Sequence, residues 1–386
     1  MENKRKKKQS RKPKQEKSSN TGRLWIKLLV AVILTVIGIF TPMIFKNSPQ
    51  FVDRFYTKGV FVAVRTIFGA VSSLVPVSIS ELVIIGLFVA LITLIITAIV
   101  KICTKSFKLR SLGAFFCSLL LTLSILLNLF NLMWGLNYKN SGFTKSMNLN
   151  LGEKTTDNLY GMCISLREEA NALRKKAELD NNGVFTVKDT NYLFSKVAAA
   201  ASCCKEVNPD TRRVYPAKPV IFSGVMSALG TSGIYMPFFV EANVNTAQPS
   251  LLVPATAAHE NAHSLGITSE GEANFAAFLI CQSSDNVNIK YSGVMLGLLY
   301  ASQRLYSEDR ACYNELINGL SDGVLLDLRD YSRYWDKFDG TVQDLASTVN
   351  NGYLKYNGVS DGVRSYDSLT DYLLAYYEAK SIVPAE

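Results

Sequence analysis

Residues 256–279 read TAAHENAHSLGITSEGEANFAAFL. In this stretch His259 and His263 stand four residues apart, which puts both on one face of a helix. Two imidazoles so placed can bind one Zn²⁺. Glu260, beside the first histidine, is positioned to take a proton from a water held by that metal. Pro254 suits the first turn of the helix and Gly266 its end, which predicts a helix from 254 to about 264. The chain has two histidines and both fall in this motif, which weighs against a surface helix that carries the pattern by chance. An open zinc site needs a third protein ligand and leaves the fourth position to water. No histidine remains, so a carboxylate is expected. Glu270 is favoured, with Asn274 one turn later on a helix starting near Ser269 and hydrogen-bonding a ligating histidine. Glu272 is the rival ligand, and it also completes a capping box with Ser269.

Upstream, 218–222 (KPVIF) and 233–240 (GIYMPFFV) read as short strands, with Pro237 marking an edge. An edge strand before the motif helix can take a substrate peptide by strand addition. There Tyr235 is a candidate donor to an oxyanion and Glu241 a candidate contact for a substrate amine; a packed edge with a buried aromatic explains the same residues. Arg304 is either a transition-state donor or a salt-bridge residue. Helical spacing covers 156–179, 189–206, 289–306, 308–319 and 366–380. No internal repeat is present.

Three apolar runs lie nearer the N-terminus, at about 24–45, 82–100 and 112–134, each long enough to cross a bilayer. The first is too long for a signal peptide and lacks a small-residue cleavage site, so it is read as an uncleaved span. The piece 57–75 is apolar but contains Arg65, which is costly at mid-membrane. It is expected to lie as an amphipathic helix at the outer interface. Residues 1–23 carry ten basic residues against Glu2 and Glu16, most of the chain's net charge of +9. The loop 101–110 is also basic. The excess of Lys and Arg puts both on the cytoplasmic side. The expected organisation is a basic, disordered cytoplasmic tail (1–23), a membrane region (24–136) and an extracytoplasmic domain (137–386), with Trp134 and Tyr138 in an interfacial belt.

No aromatic residue interleaves the basic tail, which argues against nucleic acid as a partner. The seven cysteines have no CxxC spacing, and one disulfide in the outer domain is allowed. The spans contain no central acid or histidine, which disfavours transport. The remaining non-enzymatic reading is a membrane protein with a structural or sensory metal site. A structural site would be closed by four protein ligands, and few spare donors lie nearby.

Three pieces, FSGVMSALGTSGIYMPFFVEANVN (222–245), AAHENAHSLGITSEGEANFAAFL (257–279) and YLKYNGVSDGVRSYDSLTDYLLAYY (353–377), resemble a bacterial membrane family known as a domain of unknown function, with three N-terminal spans and an outer HExxH domain. HENAH with E-x-x-A-N also resembles the gluzincin pattern HExxH…E-x-x-A-D of membrane metalloproteases. The resemblance implies zinc on His259, His263 and Glu270, with Glu260 as general base and Asn274 behind the ligands. The chain departs from that pattern in having Asn at 274 and a short separation from His263 to Glu270. The expected fold is membrane-anchored and mainly α: three transmembrane helices, then an α-rich zincin-like domain with a few short strands. The expected function is a zinc metallopeptidase acting on a peptide or protein at the outer membrane surface.

Overall fold

The computed structural model describes residues 15–104, 109–152, 154–359, 362 and 368–380. Helix α1 (Gln15–Ile44) is followed by α2 (Pro49–Phe51), a π-helical segment (Val52–Val60), α3 (Phe61–Ser73), α4 (Ile79–Cys103) and α5 (Leu109–Met133). Three stretches are long and apolar enough to cross a membrane: Gly22–Phe45, Ile79–Cys103 and Ser111–Met133. The protein is membrane-anchored and mainly α. The basic tail expected over 1–23 lies outside the described residues up to residue 14; from Gln15 the chain is already helical. Of the basic loop 101–110, residues 105–108 also lie outside them.

The chain divides into two compact units, one of Met1–Ile44 with Val89–Leu132 and one of Phe45–Phe88 with Met133–Glu386. In the first unit, polar side chains join α5 to α1. Ser124, Asn128 and Asn131 recur on one face of α5, at helical spacing. Ser124 Oγ lies 3.1 Å from the Ala31 carbonyl and 2.7 Å from Thr35 Oγ1. Asn128 donates to the Leu34 carbonyl at 2.8 Å, and Asn131 to that of Gly38 at 2.7 Å. Such bonds hold helices together where lipid offers no competing partner.

In the second unit α6 (Thr156–Arg174) and α7 (Thr190–Cys203) precede β1 (Lys218–Pro219), α8 (Ser223–Ala228), β2 (Gly233–Met236) and β3 (Glu241–Val244). The strands form one small sheet in the order β1-β3-β2, with β1 parallel and β2 antiparallel to β3, so β2 is an edge. Then come α9 (Val253–Ser264), α10 (Glu270–Gln282), α11 (Val287–Glu308), α12 (Arg310–Asn318), α13 (Asp322–Trp335), α14 (Thr341–Asn357) and α15 (Leu369–Ala379). Helices α9 and α10 pack on each other, α11 covers α10, and α6 lies against α11. All residues of α9 except His259, and all of α10 except Gln282, are buried. A helix buried all round is normally apolar all round. These two instead carry His259, Glu260, His263, Glu270, Glu272 and Asn274, and each buried polar group needs a partner.

Several elements depart from expectation. The strand expected over 233–240 is a hairpin arm that ends at Met236, before Pro237, and the turn at Val240 leads into β3. Helices α13 and α14 have no counterpart in the pattern reading. The segment 57–75, by contrast, is helical as expected, passing from the π-helical segment into α3, with Phe61, Arg65, Gly69 and Ser72 buried and Ile67, Phe68, Val71 and Leu74 exposed. Arg65 donates to the Arg213 carbonyl at 3.0 Å, and burial lowers its pKa to about 10. All seven cysteines are free thiols.

Candidate metal centre

Helix α9 starts with a proline in its first turn, where no intrahelical N–H is lost. It ends in a Schellman motif: Gly266 N–H bonds to the His263 carbonyl and Ile267 N–H to that of Ala262. Gly266 has φ +93°, a conformation that disfavours any side chain. This turn has two results. It lets α10 begin at Glu270, only seven positions after His263. It also swings the Ile267 carbonyl back onto His263, whose Nδ1 lies 2.7 Å away.

A carbonyl can only accept, so His263 carries its proton on Nδ1 and turns the Nε2 lone pair inward. His259 is arranged likewise, with Nδ1 2.7 Å from Asn274 Oδ1. The Asn274 amide nitrogen is in turn 3.4 Å from the Tyr300 hydroxyl. The two rings meet edge to face with centroids 4.6 Å apart. Both Nε2 atoms converge on one oxygen, Glu270 Oε2, at 3.2 Å from His259 and 3.4 Å from His263. Ligands about 2.1 Å from a tetrahedral Zn²⁺ stand roughly 3.4 Å from one another. The donor set and its spacing therefore fit zinc, with His259, His263 and Glu270 as the ligands.

Two lone pairs and a carboxylate oxygen facing one another require a positive charge among them. A proton can supply it. Burial lowers the pKa of His263, but the charge and hydrogen bond of Glu270, then Glu260 and the Ile267 carbonyl, outweigh it and raise it to about 9. Glu270 is pushed up by burial and more strongly down by the two histidines, ending well below the usual range. A divalent metal in the same place would displace the proton.

Glu260 is buried, and among the described residues its Oε2 has no hydrogen-bond partner. Burial first, and then the charge of Glu270, raise its pKa against the lowering pull of the histidines. Gly233 on the edge strand β2 lies directly against this carboxylate; a Cβ there would sit 2.5 Å from Glu260 Oε1.

The remaining candidates separate. Glu272 is not at the cluster. It accepts from Phe143 N–H at 3.0 Å, Thr144 N–H at 2.9 Å and the Thr144 hydroxyl at 2.6 Å. The expected capping box is likewise not formed, because the Ser269 side chain makes no cap bond. Glu241 does not face a substrate: it is buried at 2% exposure and paired with Lys218 at 2.5 Å. It also accepts from Ser72, Ile79 and Ser80. Arg304 is an ion-pair residue, bonded to Glu308 and Asp371. Tyr235 packs with its ring centroid 6.5 Å from that of His263, and its buried hydroxyl has no partner among the described residues.

Trp134 was missed as a site residue. Instead of lying in an interfacial belt it is 5% exposed, and its indole N–H donates to the His263 carbonyl at 3.1 Å. Its ring also packs against Tyr235, with centroids 5.7 Å apart. The signal available in sequence was its position at the end of a span, which suits an anchor equally well. Gly233 and the Ile267 carbonyl left no sequence signal.

Searches of curated proteins and of solved structures give no match to this chain. Residues 56–374 match the model of a family described as protein of unknown function (DUF3810), and the chain belongs to that family.

Proposed function

We propose that the second unit is a zinc-dependent hydrolase, and specifically a peptidase, with Glu260 as general base. The observation that carries this reading is the convergence of two imidazole Nε2 atoms on Glu270 Oε2, beside a buried carboxylate oxygen that has no partner among the described residues. Zinc bound there would supply a Lewis acid that lowers the pKa of water towards 7 and polarises a carbonyl.

The chain's own residues do the rest. Asn274 and the Ile267 carbonyl hold the ligand rings in one tautomer and orientation. Glu260 Oε2 is available to accept a proton, and burial makes it more basic than an exposed glutamate. The edge strand β2 passes Gly233 over Glu260, so a peptide added along that edge would run past the base. The substrate is proposed to lie at the outer face of the membrane, following the bias of basic residues towards the opposite side. A structural or sensory metal site is the competing function. The partnerless Glu260 oxygen favours catalysis, since a purely structural site gains nothing from it.

The test is metal analysis of purified full-length protein together with digestion of a peptide library read by mass spectrometry. One zinc per chain is expected. His259→Ala should lose the zinc, and Glu260→Gln should keep the zinc and lose cleavage. A chain that takes up no divalent metal would end the zinc reading. A chain that binds zinc and cleaves no peptide would leave the structural or sensory site.

A further inference from the structure

Two surface elements of the second unit are built inside out. In α3 the inward face holds Arg65, Gly69 and Ser72 after one apolar residue, Phe61, while Ile67 (61%), Val71 (60%) and, just past its end, Leu74 (81%) are exposed. In α8 the inward residues are Ser223 and Ser227, while Phe222 just before it (54%) and Val225 (57%) are exposed. A helix on the surface of a water-soluble domain has the reverse polarity. The sequence around α8 shows the same departure, because Pro219 to Val240 contains no Asp, Glu, Lys or Arg. Soluble domains rarely leave apolar patches of this extent uncovered.

Bonds within the unit place both elements at the start of a membrane-crossing helix. Only five residues separate α3 from α4. Glu81, in the first turn of α4, accepts from Ile221 N–H at 2.9 Å and from Phe222 N–H at 2.7 Å. Lys218 Nζ donates to the carbonyls of Ser72 and Val77. From Leu82 to Ile84, α4 itself is exposed and apolar. The apolar faces of α3 and of 219–240 therefore adjoin the exposed apolar surface of a helix long enough to cross a membrane.

We propose that the second unit rests in the lipid interface on these two faces, and that their partner is the headgroup and acyl boundary of the leaflet that α4 enters at Ile79. Continuity with the span decides for lipid over a second copy of the chain. The absence of charge over 219–240 suits burial among acyl chains, and Arg65 turned inward keeps α3 free of charge on its outer face.

The experiment uses full-length protein, one copy per phospholipid nanodisc, with the exposed Cys103 and Cys203 changed to serine. An environment-sensitive fluorophore is attached at Val71→Cys, at Val225→Cys and, as a water-facing control, at Glu168→Cys; unmodified background protein is labelled in parallel. Blue-shifted emission and quenching by lipids with a nitroxide high on the acyl chain are expected at 71 and 225. Quenching by aqueous iodide is expected at 168. Iodide quenching at 71 and 225 equal to that at 168 would overturn the proposal. So would protection from both quenchers that appears only when discs hold two copies, which would make the surface a self-association face.

Discussion

Glu241 and Glu260 are two carboxylates buried in the same unit, and they are provisioned in opposite ways. Glu241 accepts from Lys218, Ser72, Ile79 and Ser80, so both its oxygens are satisfied. Among the described residues Glu260 Oε2 has no partner, while the other oxygen, Oε1, lies against the edge strand. A buried acceptor left unmade costs free energy. Of these two buried carboxylates, the one that bears that cost stands beside the first histidine of the pair. Satisfaction marks the acid that holds elements together, and its lack marks the acid available for chemistry.

The contrast gives opposite expectations for two variants. Glu260→Gln should reduce peptide hydrolysis by about 10²- to 10⁴-fold, the usual worth of a positioned base, with unchanged zinc content and thermal unfolding. Glu241→Ala should do the reverse. It strands Lys218 and should cost about 3–5 kcal/mol in an unfolding titration, with activity per folded molecule retained. If Glu241→Ala proved as stable as the parent, the distinction would collapse.

Smaller effects sharpen it. Asn274→Ala removes the acceptor that orients His259 and should weaken zinc about 10- to 100-fold in a competitive chelator titration. The smallest effect concerns pH. Burial pushes Glu241 up from its ordinary 4.5, but the hydrogen bonds of Lys218, Ser80 and Ser72 more than reverse this, so its folded pKa is lowered. A lowered carboxylate stabilises above its unfolded pKa, and that contribution fades as pH falls from about 4.5 through the folded value. Glu241→Gln should flatten this part of the acid limb when unfolding midpoints are followed against pH.

Features of local origin were legible in the sequence. The three spans are uninterrupted apolar runs, and the observed stretches differ from the expected ones by a few residues. The helix carrying His259 and His263 is announced by proline, i,i+4 spacing and glycine, and Glu270 and Asn274 follow within its next neighbour. Pairings over long separations were not legible. Glu272 was read as a ligand or cap because its partners, Phe143 and Thr144, lie far back along the chain. Glu241 was read as a substrate contact because nothing local announces Lys218 across the sheet or Ser72 on α3. Trp134 looked like a lipid anchor for the same reason. Helix α13 carries an apolar stripe at helical spacing, Val324, Leu325, Leu328 and Tyr331, that the pattern reading passed over, and in α14 the apolar residues Val342, Leu345 and Val349 face outward.

The ladder between α1 and α5 has a mechanical consequence. Its rungs repeat at Ser124, Asn128 and Asn131, against backbone carbonyls at Ala31, Leu34 and Gly38. Sliding one helix past the other by a single residue, about 1.5 Å, would pull every rung out of line together. In hydrocarbon no water steps in to replace the lost bonds. Each rung is modest, about 0.6 kcal/mol, but they fail in concert rather than one after another. The pair is thus keyed like a toothed coupling: it can move as a strut but not creep along its length.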